Sequence, residues 1–206
     1  MAAKEKVVLR KGLKNVYFDR TTASLIVSKP GRLSYRGYNI DDLAEHSTFE
    51  ETSYLLLHGT LPTQAELSRF DEELRSAREL PDEILRVVET IQAAHPMDVL
   101  RTGVSAMSSL ERDLSDLSRE ATLRRGVRLT AAVPAIVAVH HRIRSGQEPV
   151  APDPTLAHAA NFLYMLRGDT PSQDEARLID KDLVLHAEHG VNASTFAARV
   201  AASTQA

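Results

Sequence analysis

From residue 64 onward, apolar side chains recur at steps of three and four residues, and prolines and glycines punctuate the pattern. Leu67, Phe70 and Leu74 make one stripe, and Ile84, Leu85, Val88 and Ile91 make another. A half-buried strand needs strict alternation, so this period admits amphipathic helices that bury one face each. Asn39 or Asp41 is placed to cap a helix over Ile40–His46. Thr48 with Glu51 gives a capping-box pattern for Phe49–His58, which Gly59 closes. Pro62 and Thr63 open the next helix, and Pro81 opens one that ends before Pro96. Residues 97–117 read as a longer helix, with small residues at Gly103 and Ser105 that permit close packing. Residues 120–144 read as another, which Pro134 bends without ending because proline removes a single backbone bond. Further helices are expected over 155–166, over Gln173–His186 and from Asn192 onward, after a loop over 145–154 that holds Gly146, Pro149, Pro152 and Pro154. Only residues 7–38 break the period. There Val7-Val8-Leu9, Val16-Tyr17-Phe18 and Ser24-Leu25-Ile26-Val27 read as short strands, and Pro30-Gly31 as a turn. The expected fold is mostly α with a short β lead-in.

Composition narrows the function classes. Lys and Arg total 25 against 28 Asp and Glu, a formal charge of -3 that argues against nucleic acid or an anionic membrane as partner. The chain has no cysteine, which removes disulfides, thiolate catalysis and cysteine metal cages. Met1 to Lys6 carries no apolar signal core, and the apolar run over 129–139 is too short for a membrane span. A cytoplasmic location is the expectation.

The densest polar constellation runs His186-Ala187-Glu188-His189-Gly190-Val191-Asn192-Ala193-Ser194-Thr195. Two histidines three apart share a helix face, Gly190 releases the helix, and Asn192 or Ser194 caps the next. Such a junction either aims two imidazoles into a cleft or simply caps helices. No metal is expected there, because the spacing departs from His-Glu-x-x-His and no third ligand is identifiable. His46 and His58 stand near helix C-termini, and His95 precedes Pro96. His140, His141 and His158 complete the scattered set. Arg124, Arg125 and Arg128, with Arg142 and Arg144 nearby, read as a solvated helix face or as an anion site. No nucleophile elbow surrounds Ser53, Ser105 or Ser194, and no Gly-rich phosphate loop is present.

Five blocks, taken in order, resemble the citrate synthase family: Gly31-Arg32-Leu33-Ser34-Tyr35-Arg36-Gly37-Tyr38-Asn39-Ile40, Phe49 through Pro62, His95-Pro96-Met97-Asp98-Val99-Leu100-Arg101, Ala159 through Leu166, and His186 through Val200. Val27-Ser28 departs from the Asp-Gly common in relatives. The resemblance implies a multihelical large domain over residues 39–206, a lead-in over 1–38 and a mobile small domain absent from this stretch. It implies an acyltransferase that condenses acetyl-CoA with oxaloacetate to give citrate and CoA, as in the tricarboxylic acid cycle. Acetyl-CoA is then substrate, and no cofactor is expected. Such enzymes use an aspartate to remove the methyl proton, one histidine to stabilise the enol and another to polarise the ketone, with closure excluding water. By resemblance His189 is the oxaloacetate-contacting histidine, His186 the preceding active-site histidine and Asn192 an orienting residue. The blocks expected to bring the aspartate, the enol-stabilising histidine and the carboxylate-binding arginines do not occur within the 206 residues. These residues are therefore expected to be inactive alone, and to associate as a homodimer or with a C-terminal half. The alternatives are a 2-methylcitrate synthase using propionyl-CoA, or a noncatalytic helical assembly module.

Overall fold

A computed structural model describes residues 19–111 and 113–204. The proposed strands at Val7–Leu9 and Val16–Phe18 lie outside that range. Strands β1 (Ser24–Val27), β2 (Arg32–Tyr35) and β3 (Tyr38–Asn39) form an antiparallel sheet in that order. Pro30 and Gly31 make the first turn, as expected. The second is a two-residue loop in which Arg36 and Gly37 both take positive φ, 50° and 95°, the handedness that matches strand twist. Arg36 offsets its strained backbone with its side chain, donating to Thr22 Oγ1 and to the Leu56 carbonyl at 2.9 Å.

Helices fill the rest: α1 (Ile40–His46), α2 (Phe49–His58), α3 (Gln64–Ser76), α4 (Asp82–Thr90), α5 (Pro96–Ala106), α6 (Arg119–Arg144), α7 (His158–Arg167), α8 (Gln173–His186) and α9 (Ala193–Ser203). Local chemistry explains most of their boundaries. Thr63 with Glu66 and Ser172 with Glu175 form full capping boxes at α3 and α8. Thr48 caps α2, but Glu51 bonds Ser47 Oγ at 2.7 Å instead of completing a box. Asn39 occupies the cap position of α1 without a side-chain cap bond. Gly59 and Gly168 close α2 and α7 in the left-handed region. Proline 134 stays inside α6, which runs unbroken through 26 residues.

Two expectations are corrected. The helix predicted over 97–117 stops at Ala106, passes into a 3-10 turn over Met107–Leu110 and gives way to a loop. Ser108 and Ser109 bond back to the carbonyls of Ser105 and Ala106, while Asp113 and Asp116 accept from the backbone of Ser115 and Ser118. These short polar side chains compete with helical bonding and close turns instead. Arg125 then fastens the loop, donating to the carbonyls of Asp116 at 2.7 Å and Asp113 at 2.6 Å. The helix predicted over 155–166 begins only at His158, because Asp153 holds Thr155 N and Oγ1 in a turn.

Helices α4, α5, α6 and α7 enclose the largest core, around Ile84, Val88, Val99, Ile136, Val139 and Met165. Gly103 lets α5 approach α6 closely: a β-carbon there would stand 3.2 Å from Ile136 Cδ1 and Cγ2. A second core joins Tyr35, Ile40, Leu43, Leu55 and Val184, packing the sheet, α1 and α2 against the end of α8. No described helix is long and apolar enough to cross a membrane.

Candidate functional site

Helix α8 ends at His186, Gly190 turns the chain at φ 92°, and Asn192 opens α9 by accepting Thr195 N at 2.8 Å. Both histidines and Asn192 are exposed. His186, 76% exposed, bonds the Asp182 carbonyl through Nδ1 at 2.9 Å and lies 3.4 Å from the Asp182 carboxylate. One turn of chain thus carries His186, His189 and Asn192, with the α9 cap supplied by the last of them.

The turn is fastened from the opposite end of the sequence. Tyr35, wholly buried, donates its hydroxyl to the Leu185 carbonyl at 3.0 Å and accepts Glu188 N at 3.2 Å. Burial pushes the Tyr35 phenol above its ordinary range, so it remains a donor. Glu188 Oε1 accepts Ser24 Oγ at 3.1 Å and the Gly190 N–H. Glu188 is thus occupied in holding the turn.

A buried polar group lies where α2, α3, α7 and α8 meet. Ala157 precedes α7 and has no side chain to cap it; Glu50 does so from α2, accepting His158 N at 2.7 Å. Asp180 of α8 in turn accepts Phe49 N at 3.0 Å. Burial raises the pKa of both carboxyls. Arg78, 1% exposed, donates Nη1 to the Leu156 carbonyl at 2.7 Å, and burial lowers its pKa. Its Nε and Nη2, and His158 Nδ1, have no partner among the described residues. The His158 ring lies 4.8 Å from Phe49, and burial, with Arg78 nearby, holds its pKa down at about 4.

The arginine cluster serves mainly as structure. Glu111 bridges Arg128 at 2.8 Å and Arg125 at 3.4 Å, and Arg142 donates to the Glu148 carbonyl. Arg124 lines an open cleft of about 750 Å3 with His58, Ala77, Pro81, Met107 and Leu110, to which residues 185–195 contribute nothing. His95 caps α5, accepting Met97 N at 3.2 Å, and His140 bonds the Gln92 carbonyl. Among the described residues no three His, Asp or Glu side chains gather as metal ligands would.

A family model described as the citrate synthase C-terminal domain matches residues 12–206. The chain belongs to the citrate synthase family. It is 46% identical over 201 residues to the citrate synthase of Haloferax volcanii, covering 95% of this chain and 53% of that one. It is also 40% identical over 202 residues to the 2-methylcitrate synthase of Mycobacterium tuberculosis, covering 98% and 51%. The crystal structure of citrate synthase from Pyrobaculum aerophilum superposes with a TM-score of 0.88 at 39% identity, over 98% of this chain and 56% of that one. A second structure, the Thermoplasma acidophilum enzyme with carboxymethyl coenzyme A and oxaloacetate, also gives 0.88, at 25% identity over 96% and 53%. The chain spans about half the length of the curated relatives it matches.

The histidine turn is visible in the sequence of this family member, whereas Tyr35 and Ser24, which hold it, and the group around Glu50, Arg78 and His158 are not. The one signal for Tyr35 was its place two residues after Leu33, on the face of β2 that packs inward.

Proposed function

We propose that the chain supplies the oxaloacetate-facing part of a citrate synthase-type enzyme, with residues 1–38 as lead-in and 39–206 as an incomplete large domain. His189 donates an imidazole N–H to oxaloacetate, His186 supports it from the end of α8, and Asn192 orients the segment. The observation that carries this reading is the exposed His-x-x-His turn, fastened by Tyr35, Ser24 and Glu188 to the N-terminal sheet. A carbonyl being attacked gathers negative charge on oxygen, and a fixed donor aimed there lowers the barrier.

The reaction joins the α-carbon of an acyl-CoA, the methyl carbon in acetyl-CoA, to the ketone carbon of oxaloacetate and then hydrolyses the thioester to release CoA. Proton abstraction needs a free base, and Glu188, the carboxylate inside the turn, is held by Ser24 and Gly190. With the family's aspartate and enol-stabilising histidine blocks not occurring in these 206 residues, the chain alone gives no turnover, and activity requires association with a complementary C-terminal half, within a homodimer. Exposed Leu25, Ile26, Leu178 and Val200 give such association apolar surface to cover. Propionyl-CoA as substrate is a second reading, supported by the 40% identity to a 2-methylcitrate synthase.

The test is CoA release from acetyl-CoA and from propionyl-CoA with oxaloacetate, first by the 206-residue chain and then with an added C-terminal half. Recovery only on mixing, lost again in His189→Ala, supports the reading. No condensation with either thioester in the mixture rejects it. Intact-enzyme rates from the chain alone would show that the catalytic groups are misplaced.

A further inference from the structure

The N-terminal sheet places two side chains on the histidine turn, and they come from one rung of its ladder. Ser24 and Tyr35 are cross-strand partners, so they share a face of the sheet. Tyr35 Oη holds the Leu185 carbonyl and the Glu188 amide, while Ser24 Oγ holds the Glu188 carboxylate. The same carboxylate oxygen takes the Gly190 amide. His189 therefore sits between two residues whose amides are both fixed, next to a glycine whose left-handed conformation would otherwise leave the chain free to swing.

We propose that Tyr35 and Glu188 are positioning residues for His189, through which the N-terminal sheet sets the affinity for oxaloacetate. The proposal rests on the reading of His189 as an oxaloacetate contact. A donor ordered before binding loses less freedom when the ligand arrives, and that difference appears directly in affinity.

The experiment uses the isotope-labelled 206-residue chain in solution NMR, with Tyr35→Phe, Glu188→Ala and Glu188→Gln, and with Tyr54→Phe as a control away from the turn. Three quantities are read: exchange of the Glu188 and Gly190 amides, ligand-free relaxation of the His189 ring, and the oxaloacetate dissociation constant from the His189 ring shift. Exchange at Ile136 and Val139 in the main core reports whether each variant is folded. Tyr35→Phe and Glu188→Ala are expected to speed exchange at both turn amides about tenfold, to loosen the His189 ring and to weaken oxaloacetate about tenfold. Glu188→Gln keeps an acceptor oxygen and should recover most of the loss, a rescue that simple destabilisation would not give. Tyr54→Phe should change none of the three. Should Tyr35→Phe fail to fold, the Glu188→Ala and Glu188→Gln pair decides alone. Unchanged His189 relaxation and turn exchange in folded Glu188→Ala overturns the proposal. A wild-type His189 whose ring ignores oxaloacetate even with the C-terminal half added overturns the functional reading, and the ligand-free relaxation still decides the positioning role.

Discussion

His158 should make the fold lose stability on mild acidification, by an amount that follows from its surroundings. Its ring is 4% exposed, and burial, with the Arg78 guanidinium nearby, lowers its pKa from the ordinary 6.5 to about 4. Above pH 6.5 the imidazole is neutral in the folded and unfolded chain alike and contributes no pH dependence. Below 6.5 the unfolded chain takes up a proton that the folded chain refuses, so stability falls until about pH 4. At about 1.4 kcal/mol per pH unit, that interval corresponds to about 3 kcal/mol, of which about 2 kcal/mol is lost by pH 5. Glu50 and Asp180 act with the opposite sign. Their raised folded pKa values mean that protonation as pH falls restores stability. The Glu50 bond goes to the backbone nitrogen of His158 and survives replacement of the ring, so this contribution cancels between wild type and a His158 variant. The assay is urea unfolding of wild type and His158→Gln at pH 7 and pH 5. The stability of wild type relative to the variant should drop by about 2 kcal/mol between the two conditions. A difference independent of pH, or a folded-state NMR titration of the His158 ring near 6.5, would refute the reasoning.

Two other predictions concern packing and loop anchoring. Gly103→Ala gains helix propensity but drives a methyl against Ile136, which is fully buried in the core and has little room to yield. The variant should lose about 1–3 kcal/mol in urea unfolding, and Ile136→Val should restore part of that in the double mutant. Glu111→Ala removes the acceptor shared by Arg125 and Arg128 and should cost about 1–3 kcal/mol, the range for a partly buried charged hydrogen bond. Limited proteolysis should then cut within residues 111–118 well before any other site; an unchanged cleavage pattern would show that the bonds from Arg125 to the loop carbonyls suffice.

What was legible in the sequence divides by distance along the chain. Helix existence was local: the stripe Leu67, Phe70, Leu74, the proline starts and the Gly59 stop each act within one or two turns, and each appears in the structure. Over 97–117 short polar side chains override the expected helix. Leu114 and Leu117 fall inside that expected span, yet they are 59% and 82% exposed, because Asp113, Ser115, Asp116 and Ser118 form turns there. At the candidate site the His-x-x-His spacing could be read, but the clamp could not, since Tyr35 and Leu185 stand 150 residues apart. The buried group was equally hidden, with 108 residues between Glu50 and His158. It did leave a trace in the residue before α7. A helix N-terminus has backbone donors that must bond to something, and Ala157 offers them nothing. Where Thr63 or Ser172 stands at a cap, the helix start is explained by its own neighbours. At the buried start of α7, water is not available in place of a cap, so the acceptor comes from another element: Glu50 is drawn into the interior and ties α2 to α7.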